Sequence, residues 1–186
     1  MEKYLFAICF LSQLNLYGAE LGRVSISGQG CDEPKKKVSI LKESNEPQKV
    51  EMPLHFKLDK INASRFERKV CNISLPIKLN KNEKIQISEF SQNMKLTHTS
   101  NTTVKAELAY YLVGVKKPKS FELSLESNNQ KSEIETLWKQ GSVILESACG
   151  KDVILRTQVS AFAQGEGQAS ADSGEILFSI QTISCK

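Results

Sequence analysis

The chain has 186 residues and a formal net charge of +4, with 40% hydrophobic and 25% charged residues. This balance is typical of a globular protein rather than a disordered one. No apolar run approaches the roughly 20 residues of a membrane-spanning helix, and the lysines do not alternate with stacking aromatic side chains. We therefore expect neither a transmembrane anchor nor a nucleic-acid partner.

Residues 1–18 have the build of a secretory signal peptide. Lys3 precedes an apolar run from Tyr4 to Leu11, and the small residues Gly18 and Ala19 follow it. The pattern predicts removal of residues 1–18, one domain over residues 19–186, and a secreted protein, extracellular or periplasmic if the source is bacterial. The alternative is that residues 4–16 form a buried first element of the fold.

Beyond residue 18, apolar residues recur at every second position, as in half-buried strands. The inward faces of the clearest strands, in chain order, are Val50, Met52, Leu54, Phe56, Leu58; Cys71, Ile73, Leu75, Ile77, Leu79; Val104, Ala106, Leu108, Tyr110, Leu112; Phe121, Leu123, Leu125; Val153, Leu155, Val159, Ala161; and Ile176, Phe178, Ile180. Weaker strands are predicted near residues 24–28, 37–42, 84–90, 94–98 and 142–146, and Pro53 favours an edge position for its strand. About ten short strands joined by polar turns predict an all-β fold, an antiparallel two-sheet β-sandwich.

One short helix is the most that the sequence allows. In residues 132–139, Ser132 and Glu135 could form a capping box, and Ile134, Leu137 and Trp138 share one helical face. A strand is an equally open interpretation of the same residues.

Four cysteines remain after residue 18: Cys31, Cys71, Cys149 and Cys185. An even number of cysteines in a secreted chain predicts two disulfides. If residues 37–43 and 49–58 form a hairpin, Cys31 lies at the sheet end where Cys71 begins the next strand. Cys149 and Cys185 would similarly lie at the open end of a hairpin formed by residues 152–163 and 175–184. The pairs Cys31–Cys71 and Cys149–Cys185 are therefore favoured, and the crossed pairs Cys31–Cys185 and Cys71–Cys149 stay open.

The surroundings of the cysteines resemble a known family. Gly30-Cys31, Arg68-Lys69-Val70-Cys71, Ser147-Ala148-Cys149-Gly150 and the terminal Cys185 are similar to the spaced pattern of secreted proteins catalogued as domain of unknown function 4360. The resemblance spans residues 30–185. It implies secretion and a β-rich domain, and it implies no established activity.

The sequence carries no recognisable catalytic or cofactor motif. The two histidines, His55 and His98, lack metal-binding or catalytic spacing, and there is no nucleophile elbow, phosphate loop or dinucleotide fingerprint. We expect no cofactor and no metal, and a protein without catalytic activity is favoured. A carboxylate pair drawn from Glu107, Glu122 or Glu126 leaves no motif and stays open.

Two aromatic residues are candidate ligand-facing side chains. Tyr111 lies opposite the apolar face of its strand, and Trp138 is the only tryptophan. The alternative for each is packing across a strand or under a turn. The favoured function is a secreted binding or interaction module for a surface glycan or another protein, and the other is a secreted hydrolase or hydrolase inhibitor. An exposed row of aromatic side chains on one sheet face would favour the first, and a concave cleft with two carboxylates, or with His55 beside one, would favour the second.

Overall fold

A computed structural model describes residues 19–31, 39–41, 48–52, 66–99, 101–115, 118–128, 130–165 and 167–185. Within these ranges the chain forms strands and turns and no helix. The strands are β1 Glu20–Leu21, β2 Ser25–Ser27, β3 Ser39–Leu41, β4 Gln48–Met52, β5 Glu67–Lys78, β6 Glu83–His98, β7 Thr102–Leu112, β8 Lys119–Leu125, β9 Ser132–Glu146, β10 Val153–Gly165 and β11 Ala169–Ser184.

The strands build two antiparallel sheets. The six-stranded sheet has the order β1-β5-β10-β7-β8, with β2 also paired to β5, and the five-stranded sheet has the order β3-β4-β11-β6-β9. From β4 to β11, every connection except β7 to β8 crosses from one sheet to the other. The resulting orders, 4-11-6-9 facing 5-10-7-8, are those of a jelly roll. The expected all-β fold of two antiparallel sheets is confirmed.

The core lies between the sheets, and the alternation of the sequence determines which side chains enter it. On β7 all five predicted inward residues are buried, and on β5 the side chains from Cys71 to Ile77 alternate between buried and partly exposed. Leu79, Phe121, Leu123 and Leu125 are only partly buried and pack against the core. The predicted inward face that begins at Val50 lies on β4, and this strand ends at Met52. Pro53, Leu54, Phe56 and Leu58 lie outside the described residues.

Aromatic rings from both sheets meet in the middle of the core. The Phe90 ring centroid lies 4.8 Å from that of Tyr110 and 5.4 Å from that of Phe121, both on the six-stranded sheet. Phe178, on the five-stranded sheet, lies 5.3 Å from Phe90 and 5.7 Å from Tyr110. These contacts join the two layers at their centre, and aromatic pairs at such distances stabilise a core beyond their area burial.

Residues 132–139 are part of strand β9, so the helical interpretation is wrong. A helix would bury Ile134, Leu137 and Trp138 together, whereas Leu137 is 61% exposed and Trp138 is 7% exposed. Burial alternates along this segment because β9 pairs with β6 over residues 132–141. This pairing satisfies the backbone hydrogen-bonding groups along the open edge of β6. Its stabilisation outweighs that of a local helix of two turns.

Strands β6 and β11 are longer than their sequence pattern predicts because β-bulges reset the alternation. On β6 the inward residues change from odd to even numbers between Ile87 and Phe90, and on β11 they change between Ser173 and Ile176. A bulge adds one residue to one strand and moves the following side chains to the opposite face. Residues 84–90 and 94–98 therefore belong to one strand where the sequence predicts two, and residues 142–146 extend β9.

The two disulfides join Cys31 to Cys71 and Cys149 to Cys185, which is the favoured pairing. The geometric reason given for it is wrong, because β3 and β4 lie in the sheet opposite β5, and β10 and β11 lie in opposite sheets. The second pair meets at the turn between β5 and β6. There the Gly150 N–H donates to the Glu83 carbonyl and the Cys185 N–H donates to the Asn82 carbonyl, each over 2.8 Å.

Candidate functional site

The outward face of the six-stranded sheet gathers polar side chains around its central strand, β10. Arg156 stands opposite Ser74 on β5 and Tyr111 on β7. One outward position further along, Gln158 stands opposite Asn72 on β5. All five point away from the core because their strands alternate strictly here. The register thus places one aromatic ring, one guanidinium and two amides within two adjacent rows.

A shallow depression of about 340 Å³ opens at this place, and we call it the Tyr111 depression. Its outward-facing lining residues are Ser27, Asn72, Ser74, Tyr111, Arg156 and Gln158. Five of these side chains are uncharged, and none is a carboxylate. The Arg156 guanidinium is therefore the one charged group that lines the depression.

Several hydrogen-bonding groups in the Tyr111 depression are not used within the described part of the chain. Arg156 is exposed and Tyr111 partly exposed, and neither makes a hydrogen bond or an ion pair there. The Gln158 amide donates to the Asn72 side-chain oxygen over 2.8 Å, which fixes both side chains and leaves the Asn72 amide group and the Gln158 oxygen open. The depression thus offers both donors and acceptors beside an aromatic ring.

A cluster of ion pairs occupies the next part of the same face. Glu107 and Glu122 stand opposite each other on β7 and β8, and the Lys105 Nζ lies 3.1 Å from the Glu107 carboxylate and 2.5 Å from that of Glu122. The hydrogen bonds that the Lys105 ammonium donates, first to Glu122 and then to Glu107, raise the pKa of Lys105. The carboxylate pair left open by the sequence does come together. Both residues line a depression of about 270 Å³, but one ammonium binds both carboxylates, so the arrangement is a salt-bridge cluster.

The far end of the face carries a pair of phenylalanines. Phe66 is 63% exposed, and its ring centroid lies 5.8 Å from that of Phe162. Phe162 follows Arg156 by six residues on β10, which corresponds to about 20 Å along a strand. The Lys105 Nζ lies 5.9 Å from the Phe162 ring centroid. This pair is therefore well outside the Tyr111 depression.

Among the described residues, the outward face of the five-stranded sheet carries two ion pairs. Lys95 lies 2.7 Å from Glu133, whose hydrogen bond raises the pKa of Lys95. Lys84 forms an ion pair with Glu146, and this hydrogen bond is the main cause of the lowered pKa of Glu146. Leu137 and Leu177 add exposed apolar side chains. The depression on this face is smaller, about 230 Å³, and it has no aromatic ring on its outward side.

Of the two aromatic residues singled out from the sequence, Tyr111 lines the depression and Trp138 is buried. The Trp138 ring stacks on Phe121 at 5.9 Å between the sheets. The reason is the parity of β9, which turns even-numbered residues inward in this segment. Trp138 as a ligand-facing residue is therefore wrong, and packing across strands is the correct alternative.

The histidines and cysteines form no reactive centre in the described residues. The buried His98 ring places Nδ1 and Nε2 against the backbone carbonyls of Thr99 and Glu126, and His55 lies outside the described residues. All four cysteines described above are bonded in the two disulfides. In the part of the chain that the structure covers, no cluster of His, Cys, Asp or Glu could hold a metal ion. No helix of the described ranges is long and apolar enough to span a membrane.

Comparisons with known proteins give distant structural likeness alone. No family model and no curated protein matches the chain, so membership of the family named above stays a prediction. TmCBM61 in complex with β-1,4-galactotriose is 15% identical with a TM-score of 0.31, covering 84% of this chain and 88% of that one. The family 11 carbohydrate-binding module from Clostridium thermocellum, in complex with a β-1,3-1,4-mixed-linked tetrasaccharide, is 9% identical with a TM-score of 0.22, covering 87% and 86%.

A third similar structure is the enzymatically active domain of tailspike protein 4 of bacteriophage CBA120. It is 11% identical with a TM-score of 0.30, and the match covers 91% of this chain but 20% of that chain. At these low identities and TM-scores, none of the three structures carries a function over to this chain.

Sequence reasoning found Tyr111 but missed its neighbour Arg156. Both stand opposite the apolar face of their own strand, and that parity is the local signal for an outward side chain. The pairing of β7 with β10 depends on contacts between distant segments, which the alternation of either strand does not encode. Asn72 and Ser74 alternate with the inward face from Cys71 to Leu79, which predicts outward side chains but not the residues opposite them.

Proposed function

We propose that this protein is a non-catalytic binding module and that its ligand is a glycan bound in the Tyr111 depression. The observation that carries the proposal is the partly exposed Tyr111 ring beside the unpaired Arg156 guanidinium, with the Asn72 and Gln158 amides in the next row. A sugar ring has an apolar face of C–H groups and a rim of hydroxyl groups. An aromatic side chain packs against the first, and amide, hydroxyl and guanidinium groups bind the second.

The rigidity of the sheet supports this function. The lining residues lie on strands whose opposite faces are buried, and a hydrogen bond joins the two side-chain amides, those of Gln158 and Asn72. Side chains already held in place lose little conformational entropy on binding, so more of the interaction free energy contributes to affinity.

A protein partner at this depression is less well supported. Stable protein interfaces bury about 800 Å² on each partner around an apolar centre. The Tyr111 depression is small, and besides Tyr111 its outward lining side chains are polar or charged. Catalysis is less well supported too, because no carboxylate lines the depression and the nearby Glu107 and Glu122 share the Lys105 ammonium.

We also propose that the protein is secreted. The signal-peptide pattern of residues 1–18 and two disulfides support this, since disulfides form and persist in oxidising compartments. N-terminal sequencing of exported protein should give Ala19 or Glu20 as the first residue. A mature protein that still carries Phe6 to Leu11 would contradict secretion by this route.

The binding function is tested by screening the oxidised mature protein on an array of neutral and acidic glycans, followed by titration calorimetry of each hit. Tyr111→Ala should weaken binding by at least about tenfold. Phe162→Ala is the matched control, because it removes a partly exposed aromatic ring from the same face about 20 Å away. Circular dichroism should show that both variants are folded. Binding that survives Tyr111→Ala, or an array without hits, would contradict the proposal.

A further inference from the structure

The charge pattern around the Tyr111 depression narrows the class of its ligand. Arg156 is the one charged side chain among the outward lining residues, and it has no ion-pair partner in the described part of the chain. The acids nearest along β7 and β8, Glu107 and Glu122, are bound to Lys105. At the sheet edge, Glu20 lies 3.4 Å from Lys78. The positive charge of Arg156 is therefore not neutralised by the carboxylates of its own face.

An unpaired guanidinium is a specific recognition group. Its planar fork of N–H donors matches a carboxylate, which it can bind through two parallel hydrogen bonds. Neutral hydroxyl groups use single donors and gain less from the charge. The Tyr111 ring stands directly opposite Arg156 on the neighbouring strand, so a sugar packed on the ring would hold its ring substituents near the guanidinium.

We infer that the glycan carries a carboxylate group and that Arg156 binds it, so that the ligand is a uronic-acid-containing polysaccharide. This inference rests on the glycan-binding function proposed above. A carboxylate is favoured over clustered sulfates because the depression presents one cation, whereas densely sulfated chains are bound by clusters of Lys and Arg. Arg156 then determines specificity, and Tyr111 provides the packing surface.

The test compares acidic polymers with neutral forms of the same backbones. Polygalacturonate and alginate are used together with their carboxyl-reduced counterparts, and dextran sulfate is the sulfated arm. The full mature protein should bind the uronates more tightly than the reduced polymers. Raising the salt concentration from about 0.05 M to about 0.5 M should weaken the uronate binding alone, because exposed charges are screened.

Two substitutions and one control separate recognition by Arg156 from a general charge effect. Arg156→Gln should weaken uronate binding on the order of 10- to 100-fold and leave the reduced polymers unaffected. Arg156→Lys should recover only part of the loss, because an ammonium cannot form the planar double contact. Arg68→Gln removes the same charge from the same face beside Phe162, and it should retain the uronate affinity.

Each other outcome overturns the inference in a recognisable way. If the reduced and acidic polymers bind equally, and Arg156→Gln binds them with the affinity of the unaltered protein, the acidic ligand is rejected but glycan binding is not. Binding of dextran sulfate without the uronates would reject the carboxylate. Equal losses in Arg68→Gln and Arg156→Gln would reject a specific role for Arg156. No binding to any polymer or array glycan would reject both proposals.

Discussion

Removal of the Phe90 side chain should test whether the aromatic centre holds the two sheets together. Phe90 is fully buried and contacts the rings of Tyr110, Phe121 and Phe178 at centroid distances of 4.8, 5.4 and 5.3 Å. Truncation of a buried phenylalanine to alanine lowers the free energy of unfolding by about 3–5 kcal/mol. Three lost aromatic pairs, each contributing about 0.5–1.5 kcal/mol, place Phe90→Ala at the upper end, near 5 kcal/mol.

Phe66→Ala is the matched control for the same chemical change. Its ring is 63% exposed and has one aromatic neighbour, Phe162, so its removal should cost less than about 1 kcal/mol. Because small domains are stable by only about 5–15 kcal/mol, Phe90→Ala could leave little folded protein. Phe90→Leu keeps part of the buried volume and should cost about 2 kcal/mol, which stays measurable.

Denaturant unfolding followed by fluorescence and circular dichroism measures these differences. The expected order of destabilisation is Phe90→Ala, then Phe90→Leu, then Phe66→Ala. Equal midpoint shifts for Phe90→Leu and Phe66→Ala would refute the placement of Phe90 at the centre of the sandwich.

Three further predictions concern the strands, the buried tyrosine and the second disulfide. Ile73→Ala should lower the free energy of unfolding by about 2–5 kcal/mol because Ile73 is 1% exposed, whereas Ser74→Ala on the opposite face should change it little. Similar denaturant melts for the two variants would contradict the parity of β5. Burial raises the pKa of Tyr110 to about 12. The free energy of unfolding should therefore fall by about 2–3 kcal/mol as the pH rises from about 10 to about 12. Melts of the Tyr110→Phe variant over the same pH range should not show this fall. Replacing Cys149 and Cys185 by serine should destabilise the protein by about 4 kcal/mol, from the loop entropy of a 36-residue separation, and an unchanged melting temperature would contradict the bond.

The strands of this protein are largely legible in its sequence, but their assembly is not. The faces containing Ile73, Leu108 and Phe178 are buried as the alternation predicts. Alternation failed where it was interrupted, at the bulges of β6 and β11, because a bulge leaves no pattern of its own. It was ambiguous at residues 132–139, where three apolar residues fit a helical face as well as a strand.

The candidate site shows the same division. Tyr111 and Trp138 gave comparable signals as aromatic residues, and the structure places one on a sheet face and the other between the sheets. The five alternating apolar residues of β7 make its inward face clear from the sequence. For β9 no inward face can be assigned until the segment is known to be a strand. The parity of β10 indicates only that Arg156 points outward, and a single exposed arginine is ordinary on a protein surface.

The sequence alone thus determined the strand character of the chain, the inward face of most strands and the number of disulfides. These properties are local: side chains alternate along each strand, and cysteines can be counted. Only the tertiary structure decided which sheet each strand joins, why Cys149 meets Cys185, and that Arg156 stands beside Tyr111. Those facts depend on pairing between segments far apart in the chain. The choice among pairings comes from the joint burial of many faces at once, which no single stretch of sequence contains.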